Sequence, residues 1–95
     1  MNNSQREVAN KIVETALRNR VIRGKHYPIE GLLRISLPDY LQGRGEDILT
    51  DEMVPNHTAG FVFVKGNDTV TISDPEKAVA FLEENDGNVP WNFQD

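Results

Sequence analysis

Val8, Ala9, Ile12, Val13, Ala16, Leu17 and Val21 recur at the spacing of one face of a helix. Ser4 with Glu7 three residues later is a capping-box signature, so a first helix is expected over about residues 5–22, with Gly24 as its left-handed stop. Its other face reads Glu7, Lys11, Glu14, Arg18, in which Glu7–Lys11 and Glu14–Arg18 are i,i+4 pairs worth about 0.2–0.5 kcal/mol each.

Two periods compete between Tyr27 and Gly45. Ile29, Leu32, Leu33, Leu37, Tyr40 and Leu41 fit a helix, while Leu33, Ile35 and Leu37 alternate with Arg34 and Ser36 as in a strand. Pro38 turns Leu37 away from helical angles, which leaves two short helices, or a strand followed by a helical turn, over 29–42. The glycines of "QGRGED" (42–47) read as a loop, and residues 46–58 as an acidic, linker-like segment anchored by Ile48, Leu49 and Met53.

"FVFVKGNDTVTI" (61–72) holds two β-rich runs around Gly66-Asn67, a two-residue hairpin loop. That loop sets Lys65 opposite Asp68, Phe63 opposite Val70 and Phe61 opposite Ile72, with a Val62/Val64 and Thr69/Thr71 face left half-exposed. The last helix starts at Ser73 or Asp74 as cap, carries Pro75 in its first turn, buries Ala78, Val79, Phe81 and Leu82, and ends at Asp86-Gly87. The expected fold is α+β in one small domain, 1–95: a long N-terminal helix, a short helical middle segment, a β-hairpin and a C-terminal helix.

Composition narrows the function classes. A 95-residue chain buries only about 60–65% of its unfolded surface, which leaves little room for a deep active site. The absence of cysteine excludes a disulfide scaffold, a thiolate zinc site and a cysteine nucleophile. No apolar run approaches the roughly 18 residues of a membrane helix, and "MNNSQREVANKIV" lacks a secretory pattern, so a cytoplasmic protein is expected. There is no G-x-S-x-G, no H-E-x-x-H and no Walker loop. The two histidines, His26 and His57, are far apart in sequence, and adjacent acids such as Glu46-Asp47 do not point the same way, so no metal, cofactor or catalytic activity is expected. "GRG" at 43–45 reads as a turn rather than a phosphate cradle.

Charge divides the chain. Residues 1–45 carry eight Lys/Arg against four acids (+4), and residues 46–95 carry two against eleven (-9), for the net -5. The cations concentrate in "LRNRVIRGKHY" (17–27). Arg18 is accounted for by Glu14 and the helix end, leaving Arg20, Arg23, Lys25 and His26, either open to a partner or, as is expected, bonded to the chain's own acidic half. With Lys65 at the hairpin tip they are the candidate set for a winged-helix nucleic-acid binder, or for a small phosphorylated ligand. The third helix of such a fold would be "LPDYLQGR", with few groups that read bases. The acidic half suggests a protein partner instead. Trp91 and Phe93 are of the types that anchor interfaces, and Glu83, Glu84 and Asp86 would face a basic surface. In the competing arrangement the 90–93 tail folds back over the hairpin. The leading expectation is a small, acidic, non-catalytic regulatory or inhibitory protein acting on a protein partner. Self-assembly through hairpin edges or the Val62/Val64 face is a further expectation.

Overall fold

Asn2, rather than Ser4, caps the first helix. Its side chain accepts from the Gln5 amide at 2.8 Å, and the Gln5 side chain accepts from the Asn2 amide at 3.0 Å, a capping box two residues upstream of the Ser4/Glu7 signature. The structure, a computed structural model, describes residues 2–53, 63–66 and 68–93, the segment 63–66 through its backbone pairing. Phe61, Val62, Asn67 and His57 lie outside the described residues.

Helix α1 spans Asn3–Arg18 and stops four residues before the expected end. Arg20 takes φ 55°, the Val21 amide donates to Ala16 O at 2.9 Å and the Arg20 amide to Leu17 O at 3.0 Å. That is a Schellman stop with arginine in the position glycine usually fills. The helix yields here because Val21 and Ile22 are taken by a strand far along the chain. Ile72 N donates to Val21 O at 2.9 Å and Arg23 N to Ile72 O at 2.8 Å, a pairing suited to β-branched residues. Gly24 serves a second turn instead. Lys25 N donates to Ile22 O at 3.0 Å across Arg23 (φ 50°) and Gly24 (φ 91°), the positive pair of a type I′ turn.

The strands are β1 (Tyr27–Pro28), β2 (Phe63–Gly66) and β3 (Thr69–Ile72), antiparallel and in the order β1-β3-β2. Gly66 pairs with Thr69, Lys65 with Val70 and Phe63 with Ile72, so the strands meet between Gly66 and Thr69, one residue later than expected, and Asp68 has φ 64°. The register moves by two positions. A shift of two keeps each strand position on its own face, so the expected sidedness survives. Val70 and Ile72 are fully buried, and Thr71, expected on the half-exposed face, is buried as well.

Two helices follow β1: α2 (Ile29–Ser36) and α3 (Asp39–Ile48). Leu37 is extended (φ -133°, ψ 147°), as a residue before proline must be, and Pro38 caps α3. The strand alternative for this region is not adopted. Helix α3 also runs straight through 42–47, the expected loop, and a π-helical turn (Leu49–Met53) continues it through most of the expected linker. Its anchors Ile48, Leu49 and Met53 are all buried. Gly45 is buried where a Cβ would overlap Leu37 Cδ1 and stand 3.1 Å from Leu33 Cδ2. Tight packing, not a turn, requires that glycine.

Helix α4 (Pro75–Glu84) is capped by Asp74, which accepts from the amides of Glu76 at 3.1 Å and Lys77 at 3.3 Å. It closes where Asp86 takes φ 58° and Gly87 N donates to Leu82 O at 2.7 Å. A 3₁₀ turn, Trp91–Phe93, ends the described chain. Helix α1 touches α2, α3, α4 and β3, and one core gathers Ile12, Leu17, Leu32, Leu49, Ile72 and Leu82, all fully buried. The fold is therefore a single small α+β domain: long N-terminal helix, helical middle, hairpin and C-terminal helix. So many elements surround α1 that Glu14 and Thr15 are buried too. Glu14 is bonded by Arg18 at 2.9 Å, and Lys11 turns to Glu14 at 3.8 Å instead of to Glu7.

Candidate functional site

The break at Pro38 shapes a cleft. Leu37 is drawn into the core, while Pro38 and Tyr40 stand away from it, Tyr40 being 84% exposed although it belongs to the apolar set of the sequence. Opposite lies the Glu7, Val8, Lys11, Glu14 face of α1, and Asp86–Asn88, past the end of α4, close one side. The open space they border is about 460 Å³. Its floor is apolar through Val8 and Leu37 with half-buried Leu41, and its rim is polar. Such a concave apolar surface with a few polar groups is the usual form of a recognition site.

Of the acidic and aromatic candidates, only Asp86 lines this cleft, where it is exposed. Trp91 is 83% exposed and three residues beyond Asn88, within about 11 Å of the cleft's end by chain length alone. Glu83 and Glu84 are exposed on the last turn of α4. Phe93 is half-buried and packs against the core. Tyr40 and Ile35, the latter 50% exposed, flank the α2–α3 break; the sequence hides their exposure because Tyr40 fits the helical period and Ile35 the competing strand alternation.

The cationic candidates sit elsewhere. Arg20, Arg23, Lys25 and His26 are exposed in the turns after α1, and His26 Nδ1 is 3.0 Å from Thr69 Oγ1. Among the described residues Arg20, Arg23 and Lys25 form no ion pair, so the expected bonding to the acidic half does not hold them. Lys65 is placed by its backbone, opposite Val70. Arg44 of the "GRG" stretch is at the other end of α1, donating to Ser4 Oγ at 3.3 Å, some 20 Å of helix away from Arg20. Between the start of α2, α3 and the hairpin turn a second cleft of about 380 Å³ is lined by Pro28, Ile29, Glu30, Glu46 and Asp68. Among the described residues no three histidine or acidic side chains converge as a metal site, and no helix is long and apolar enough to cross a membrane. The chain matches no family model, no curated protein and no solved structure.

Proposed function

We propose that this chain is a small, acidic, non-catalytic regulatory or inhibitory protein of the cytoplasm that acts by binding another protein through the α1/α3 cleft. The observation that carries this reading is the Tyr40 ring, exposed at the rim of an apolar-floored cleft where a purely structural tyrosine would turn inward. Trp91 supplies a second exposed aromatic within reach of it. Affinity capture from native lysate, with and without nuclease, tests the reading. The wild-type chain is expected to retain the same protein in both conditions. Tyr40→Ala combined with Trp91→Ala is expected to lose it, and Lys77→Ala, away from the cleft, to keep it. Equal capture by all three chains would refute this assignment.

A second reading has topology in its favour. The order helix–strand–helix–helix–strand–strand, with the sheet in the order β1-β3-β2, resembles that of a winged helix, in which the second and third helices form a helix-turn-helix. Chemistry weighs against nucleic acid as its ligand. The exposed charges of α3 are Asp39, Arg44, Glu46 and Asp47, and the face where α2, α3 and the hairpin turn meet presents Glu30, Glu46 and Asp68. Each would repel a phosphate. Since fold does not dictate function, the same scaffold serves a protein partner equally well. Duplex binding that weakens steeply with salt and is lost on replacing Arg20, Arg23 and Lys25 would establish the nucleic-acid reading. A phosphorylated small ligand would need a cavity at those cations, and the clefts described above are lined by other residues.

A further inference from the structure

We infer that the cleft receives an arginine-bearing, apolar-flanked segment of the partner protein; this rests on the protein-binding reading above and specifies its ligand. The argument turns on which charges at the cleft are already spent. Glu14 also lines the cleft, with its side chain 11% exposed, and its carboxylate is paired with Arg18 at 2.9 Å and Lys11 at 3.8 Å. Lys11, the one cation lining the cleft among the described residues, is paired with Glu14 rather than with Glu7 or Asp86. Glu7 and Asp86 remain at the rim, exposed, and neither forms an ion pair among the described residues.

Two uncompensated carboxylates beside an apolar floor select their occupant. An acidic peptide or a phosphate backbone would be repelled by both. A wholly apolar segment would strip water from them without offering a donor in return. A cationic side chain between apolar neighbours satisfies rim and floor together. Arginine suits it better than lysine, because its planar head bonds a carboxylate through two donors and stacks on an aromatic face, and the Tyr40 ring is open to it.

The probe is a fluorescent heptapeptide alternating leucine and arginine, followed by polarisation, beside an analogue with citrulline for arginine that keeps the shape and loses the charge. The wild-type chain should bind the arginine peptide and not the citrulline one. Glu7→Gln with Asp86→Asn should weaken binding at least tenfold, as should Tyr40→Ala alone. Asparagine accepts the left-handed backbone of Asp86, so the double variant should keep the wild-type Tm. Equal affinity for the wild-type and doubly neutralised chains would overturn the inference, since it would mean attraction to general negative charge. So would self-association in sedimentation that Tyr40→Ala abolishes, since a second copy would then fill the cleft. If the citrulline peptide instead shifts the amide resonances of Val8, Leu37 and Leu41, the charge selection is wrong while the protein-binding site stands. If neither peptide shifts them and capture is indifferent to Tyr40 and Trp91, both readings fall.

Discussion

Gly43 and Gly45 lie two positions apart on α3, and a methyl group added to each meets different surroundings. At Gly43 nothing is within 4 Å, so alanine there gains the helical preference of about 0.8–1 kcal/mol with no steric cost. At Gly45 the same gain is opposed by overlap with Leu37 and crowding by Leu33, and overpacking of a filled core costs about 1–3 kcal/mol. Gly43→Ala is therefore expected to raise the urea midpoint and Gly45→Ala to lower it, with unchanged m-values. In sequence the two glycines are indistinguishable, and both read as loop punctuation. Only the approach of α1 and α2 to α3 separates them, and that approach is set by Leu33, Leu37 and Ile12, eight or more positions away.

Helix ends carry the next lesson. The stop of α1 places Arg20 in the left-handed region, and the turn that follows does the same to Arg23. Each costs about 1–2 kcal/mol relative to glycine, partly offset by the roughly 0.4–1 kcal/mol that glycine loses through a freer unfolded chain. Arg20→Gly and Arg23→Gly should each stabilise the fold by about 0.5–1 kcal/mol, measurable by thermal or urea unfolding. No gain from either would mean that the side chains hold the turns in some other way. Helices α1 and α4 are legible in the apolar spacing, as is the Pro38 break, whereas over 29–42 a strand competes with two short helices and the glycines of 42–47 hide most of α3. The end of α1 is not, because the helical period runs on through Val21 while the bonds that claim Val21 come from Ile72. The hairpin register slipped for a local reason: Gly66-Asn67 is a good turn pair, yet Asp68 takes the positive φ and moves the turn one residue on. Of the residues lining the candidate site, the sequence singles out Asp86 and not Tyr40, since a helical period marks a residue as apolar-facing without saying whether another element covers it.

At the scale of the whole molecule, the charge division along the sequence does not become ion pairs between halves among the described residues. The two described ion pairs both belong to α1, and the cations after it remain open to solvent. Cohesion comes from the shared core and from β3, which is bonded to β2 on one side and to residues 21–28 on the other. These two edges differ in how they are reached. The hairpin closes across two residues, whereas Tyr27 and Val70 are 43 positions apart, and closing a loop of that length costs about 3 kcal/mol of chain entropy before any contact repays it. The contacts among α1, α2 and α3 are more local and should form first. Ile22→Ala, at the distant edge, is then expected to speed unfolding with little change in folding rate, and Leu32→Ala, in the helical cluster, to slow folding; stopped-flow kinetics in urea would distinguish the two. Equal effects on folding for both would place the sheet in the transition state. The central strand thus acts as a late clasp. It joins two ends of the chain that earlier steps leave apart, and the order of assembly is written into which of its edges is near in sequence and which is far.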